Sequence, residues 1–249
     1  MSNTLSNLKS ELKKLSNPEK IKVYQWFFKT GKGEYGEGDI FIGLTMPQIR
    51  ATIKNYINLS LSDIQKLLDS KIHEFRMAGL LILVKQFEKL PFVILSEAKD
   101  PLNSKKATKK KIFDFYLKNT KRINNWDLVD VTCTRIVSAY LLDKKRSILY
   151  KLAKSKNLWE RRIAIVSTGA FIWQNDFSDT IKICEILLKD KHDLIHKACG
   201  WMLREVGKRD KKTLIIFLNQ HTGQMPRVML RYAIEKFNKK ERKFYLNKK

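Results

Sequence analysis

The chain has 249 residues, 43% of them hydrophobic, enough to bury a substantial core as one domain or as an elongated array. Its 50 Lys and Arg against 25 Asp and Glu give a formal net charge of +25, which favours nucleic acid as the partner, with an anionic membrane surface second. No run of 18 apolar residues excludes itself from water as a membrane span must, and Met1-Ser2-Asn3-Thr4-Leu5 lacks the basic-then-apolar layout of a secretory leader.

Nearly every stretch between breaks carries apolar residues at a 3.6-residue period, and strand-like alternation is scarce. Only five prolines and ten glycines interrupt it, so an all-α fold is predicted. The first break, Gly31-Lys32-Gly33-Glu34-Tyr35-Gly36, formally matches G-x-G-x-x-G. It follows no strand, and Glu34, Glu37 and Asp39 would repel a pyrophosphate, so it reads as a helix-to-helix loop. A helix opens next at His73-Glu74-Phe75-Arg76. The polar stretch from Ser96 to Lys111 follows as a solvated loop and charged helix start, with a non-specific phosphate contact as the alternative. Further helices open at Asn125, Trp159, Ile195 and Pro226, at spacings of 34, 36 and 31 residues. That spacing suits one helix pair per unit, the signature of a helical solenoid, here taken as a single domain over 1–249. Cys133, Cys184 and Cys199 are odd in number without C-x-x-C spacing and read as reduced core thiols of an intracellular, cytoplasmic protein.

Two helices carry the candidate chemistry. In the one capped by Asn124 or Asn125, Val129, Cys133, Ile136 and Tyr140 form the apolar stripe, while Trp126 and Asp130 stand one turn apart at its edge. Asp130 is then either an ion-pair partner or half of an indole and carboxylate pair suited to a cationic ligand. In the helix from Ile195, the stripe Ile195, Cys199, Met202 and Val206 is opposed by Lys197, Trp201, Arg204 and Lys208. An indole among three cations either packs on a neighbouring repeat or meets something aromatic or anionic. Trp159 and Trp173 are assigned to packing between repeats. His192 and His196 lie four apart without the glutamate of a zinc protease and read as a surface pair, His73 and His221 show no partner, and no metal or cofactor is implied. A basic protein that is locally acidic and aromatic suits a polyanion bearing a local cation, such as DNA with an N3- or N7-alkylated purine.

Three motifs carry a resemblance: Asn125-Trp126-Asp127-Leu128-Val129-Asp130, Trp159-Glu160-Arg161-Arg162-Ile163-Ala164, and Ala198-Cys199-Gly200-Trp201-Met202-Leu203-Arg204-Glu205, supported by Gly33-Glu34-Tyr35-Gly36-Glu37-Gly38-Asp39. With them the chain resembles the AlkD-like DNA glycosylases, a DNA alkylation repair family built from HEAT-like repeats. The resemblance implies an α-solenoid with a concave basic groove that grips double-stranded DNA. It implies Trp126 and Trp201 as cleft tryptophans, Asp130 as the catalytic aspartate, and Arg162 and Arg204 at the phosphate backbone. Phe27 stands where the family has a first-repeat tyrosine, keeping the ring and losing the hydroxyl. Lys197, Lys208, Arg227 and Arg231 recur near the expected groove as further backbone contacts. The implied reaction is hydrolysis of the N-glycosidic bond of cationic alkylpurines without base flipping. The alternatives are a catalytically silent repeat protein recognising branched or distorted DNA, and a protein-binding scaffold.

Overall fold

The computed structural model describes residues 4–89 and 101–248, with side chains from 108 onward in the second stretch. The fold is all-helical and repeat-like, and among the described residues the one extended pairing is an isolated parallel bridge between Ile40 and Ile72. Two compact units make up the chain, Met1–Ile136 and Val137–Lys249.

The first unit holds α1 (Leu5–Lys14), α2 (Pro18–Phe27), α3 (Met46–Thr52), α4 (Leu61–Leu68), α5 (His73–Lys89), α6 (Pro101–Lys118) and α7 (Trp126–Asp130). Local chemistry starts them. Asn17 Oδ1 accepts from the amides of Glu19 and Lys20 ahead of Pro18, and Ser60 caps α4 through Asp63 N. At the centre lies α5, buried from His73 through Val84, so the charged side chains of that stretch, His73, Glu74 and Arg76, are engaged internally, while Lys85, Glu88 and Lys89 near its end reach solvent. By contrast α2 buries no residue, and it exposes Val23, Trp26 and Phe27. Residues 96–100 of the Lys-rich insert and the side chains of 101–107 lie outside the described residues; beyond them Lys109 sits over the Phe87 ring and Lys110 pairs with Asp114.

The second unit holds α8 (Ala139–Leu141), α9 (Ser147–Ala153), α10 (Leu158–Val166), α11 (Gly169–Trp173), α12 (Ser178–Leu187), α13 (Asp193–Arg209), α14 (Lys211–His221), α15 (Arg227–Ala233) and α16 (Lys239–Asn247). Here α13 is central and packs on α10, α12, α14 and α15. Its stripe of Ile195, Cys199, Met202 and Val206 is buried as the periodicity predicts, and Cys133, Cys184 and Cys199 are buried thiols outside any disulfide.

The repeated motifs mark the second helix of each pair: α4 with α5, α9 with α10, and α12 with α13 pack as neighbours. In α5 and α10 the fourth residue is an arginine staple. Arg76 donates to the carbonyls of Ser70 and Lys71 and pairs with Asp39 at 2.7 Å. Arg161 donates to the carbonyls of Ser155 and Lys156 and pairs with Asp190 at 2.5 Å. Each satisfies carbonyls of the turn before its helix, so part of the positive charge is structural.

Gly200 explains one motif in packing terms. A Cβ built there would lie 2.5 Å from the Met229 carbonyl oxygen and 2.5 Å from the Tyr232 Cβ, so α13 and α15 touch at backbone range. Gly200→Ala is expected to cost about 1–3 kcal/mol by overpacking, despite alanine's better helix propensity. Urea denaturation measures it; an unchanged or raised midpoint would show that α15 yields.

Candidate nucleic-acid site

In the first unit the site is built on the start of α7. Asn125 caps it, its Oδ1 accepting from Trp126 N at 2.8 Å, and so fixes where the indole leaves the backbone. Trp126 stacks on Phe28 at 5.4 Å between centroids and 24° between planes, and meets Phe27 edge-on at 5.7 Å. Phe28 stacks in turn on Phe41 at 5.0 Å, and Phe41 on His73 at 4.5 Å. A row of four rings therefore runs from a half-buried indole to a buried imidazole. Such contacts contribute about 0.5–1.5 kcal/mol each beyond area burial, and they hold Trp126 in one orientation.

The far end of the row is clamped by charge. His73 Nε2 lies 2.8 Å from Asp127 Oδ2 and Nδ1 lies 3.3 Å from Asp39 Oδ2. Burial alone would lower the imidazole pKa; the Asp127 and Asp39 carboxylates outweigh it and raise it to about 9. His73 is thus a buried imidazolium at neutral pH. Burial likewise pushes the Asp39 carboxyl up, but the hydrogen bond from His73 and the Arg76 guanidinium hold it below the ordinary aspartate value. Asn124 Nδ2 donates to the other Asp39 oxygen at 3.3 Å. One residue along, Glu74 is buried and accepts from the amides of Ile42, Gly43 and Leu44, which ties the loop to α5.

The glycine-rich loop is closed by its own glutamates. Gly31 N donates to Glu34 Oε2 and Gly33 N to Glu37 Oε2, each at 2.8 Å, so carboxylates already occupy the amides. Gly33 and Gly38 take φ of 78° and 85°, the left-handed region that glycine adopts without strain.

Asp130 is the last residue of α7, one helical turn beyond Trp126, so indole and carboxylate share a helix edge. The Asp130 carboxylate is near enough to buried Tyr116 to add to the upward push that burial, first of all, gives that phenol. Beyond Asp130 the helix does not continue: Thr132 turns its hydroxyl onto the Leu128 carbonyl at 2.5 Å, and a π-helical turn spans Thr134–Ser138.

In the second unit, Trp201 is half-buried on α13. The cations on its face are partnered. Lys197 pairs with Asp193 at 2.7 Å, Lys208 with Glu205 at 2.8 Å, and Arg204 with Glu205 and Glu235. Arg227 donates to the Leu246 carbonyl, and Arg231 is exposed. Arg162, expected at a phosphate, is 5% exposed and donates to the Leu194 carbonyl at 2.7 Å, a contact inside the repeat packing. Trp159 is buried as assigned, whereas Trp173 is 57% exposed. His192 and His196 also have local work: His192 Nδ1 caps α13 by accepting from Leu194 N, and His196 Nε2 lies 2.6 Å from the Asp190 carbonyl oxygen.

Among the described residues no group of three or more His, Cys, Asp or Glu side chains is placed to hold a metal ion, and no helix is long and apolar enough to cross a membrane. A family model described as DNA alkylation repair enzyme matches residues 8–237. A solved structure described as a predicted DNA alkylation repair enzyme from Enterococcus faecalis aligns with TM-score 0.64 and 16% identity, covering 90% of this chain and 97% of that one. At that identity the likeness is one of fold. A comparison with curated proteins finds no match.

Proposed function

The chain belongs to the DNA alkylation repair enzyme family, and from that premise we propose that it is a DNA glycosylase for cationic N3- and N7-alkylated purines in double-stranded DNA. The observation that carries this reading is Trp126, held by Phe28 and Phe27, with Asp130 one turn away. The alkylated base already carries positive charge and leaves without protonation. As the glycosidic bond lengthens, that charge moves to the deoxyribose, where the Asp130 carboxylate stabilises it and orients the attacking water. Trp126 supplies a π face to the same cationic sugar, and the base stays stacked. Trp201 in the second unit meets the DNA backbone, with Lys197, Arg204, Lys208, Arg227 and Arg231 as its cationic row. The carboxylate partners of Lys197, Arg204 and Lys208 are exposed or half-exposed, and such pairs are worth about 0–1 kcal/mol, so phosphates displace them at little cost. The chain acts as one repeat domain over 1–249, in the cytoplasm with the chromosome, and the reading calls for no cofactor.

Incubation with duplex DNA containing N7-methylguanine, with quantification of released base, tests the activity. No release at high enzyme excess would leave a silent DNA-binding protein. For six to ten phosphate contacts, affinity is expected to fall about 10³–10⁵-fold between 50 and 200 mM salt. Arg231→Ala should reduce the slope of log affinity against log salt by about one, uniformly across sequences. An unchanged slope would remove Arg231 from the DNA interface.

A further inference from the structure

Behind Phe27 the first unit contains a cavity of about 150 Å³ whose lining includes Tyr24, Phe27, Phe28, Phe41, His73 and Asp127. An apolar hole of that size accepts a benzene ring. This one differs in having polar groups among its rings, and its rim includes the half-exposed Phe27, so a larger flat ring need not be swallowed whole. Two polar groups remain for a ligand. The Tyr24 hydroxyl has no hydrogen-bond partner among the described residues; Asp127 already accepts from Leu128 N at Oδ1 and from His73 at Oδ2, but it is 15% exposed where Asp39 is 4%, and each of its oxygens has a second lone pair. Burial and the Glu74 carboxylate both push the Tyr24 pKa up, which keeps its hydroxyl a donor.

We propose that this cavity binds a free purine base, the leaving product of the reaction proposed above, on which the inference rests. The chemistry matches in three respects. Aromatic faces select a flat ring. The Asp127 carboxylate accepts from an exocyclic or ring N–H, and the Tyr24 hydroxyl donates to a ring nitrogen. Through Phe27 and Phe28 the cavity is in ring contact with Trp126, so a base released beside that indole has a short apolar route into it. The base remains stacked during bond cleavage and enters only afterwards.

Titration of the full chain with free 3-methyladenine, followed by saturation-transfer NMR and calorimetry, tests this without any turnover. Saturable binding at one site is expected. Met46 also lines the cavity, and Met46→Trp should fill it and abolish binding. Tyr24→Phe should weaken binding about tenfold, the loss of one hydrogen bond. Indene, of similar shape without N–H groups, should bind at least tenfold more weakly. Should Met46→Trp lose the wild-type thermal transition, Tyr24→Phe and indene decide the matter. No saturable binding, binding by a folded Met46→Trp variant equal to wild type, or equal affinity for indene would overturn the proposal. Base release from DNA without purine binding sinks this inference alone, whereas purine binding without release sinks the glycosylase reading alone.

Discussion

Replacing Asp130 by asparagine is expected to lower single-turnover release of N7-methylguanine by about 10²–10⁴-fold while DNA affinity stays within about twofold. The side chain keeps its shape and loses its charge. What disappears is attraction between a carboxylate and the cationic sugar of the transition state, an interaction worth about 3–5 kcal/mol in a site of this kind. Binding is unaffected because the ground state places its charge on the base and on phosphates held elsewhere. Single-turnover conditions matter, since release of an abasic product can mask a slower chemical step. A second arm sharpens the test. A neutral purine such as hypoxanthine needs protonation to leave, and the site as read provides no acid for it, so wild-type protein should leave it in place. Full activity in Asp130→Asn, or efficient release of the neutral base, would move catalysis to another group.

The repeat fold was legible because its signal is local: apolar residues at helical spacing, broken at intervals near 34 residues. For the same reason the relation of Trp126 to Asp130 was legible, as both lie on one short helix. What lay beyond reach was set by contacts distant in sequence. His73 shows no partner in its own segment, yet its carboxylates come from 34 and 54 residues away. The stacking of Phe28 and Phe41 beneath Trp126 joins residues 85 or more positions apart, which no local pattern announces. Other features were closer to hand. Asp193 and Glu205, which partner the lysines around Trp201, lie one turn from them on the same helix. Arg161 occupies the position of Arg76 in its own helix, which assigns that motif partly to repeat stapling. Trp173 escapes the core because it ends a five-residue helix, two residues before Asn175 at φ 60°, where no further turn carries it onto a packed face.

The charged cluster beneath the ring row predicts an unusual dependence of stability on pH. Asp39, His73, Arg76 and Asp127 form a compact group of two anions and two cations, three of the four less than 5% exposed at the side chain. Asp39→Asn leaves two buried cations facing one carboxylate and is expected to cost about 3–5 kcal/mol, a large share of an ordinary domain's stability. The pH window follows from the shifts. His73 rises from 6.5 unfolded to about 9 folded, so its contribution is complete below about 6.5 and is lost as pH climbs through 9. A shift of that size corresponds to about 3 kcal/mol. Asp39 is depressed, so its contribution is present above the ordinary aspartate value and fades as pH falls below it. Urea denaturation of the wild type at pH 6 and pH 10 should therefore show a loss of about 3 kcal/mol on the alkaline side. His73→Asn, which has no proton to lose, should be less stable at pH 6 and nearly flat between the two. Because Phe41 rests on His73, and Phe28 and Trp126 on Phe41, Trp126 should become more mobile over the same alkaline range. Parallel pH profiles for wild type and His73→Asn would show that the imidazole is neutral and that packing alone holds the row.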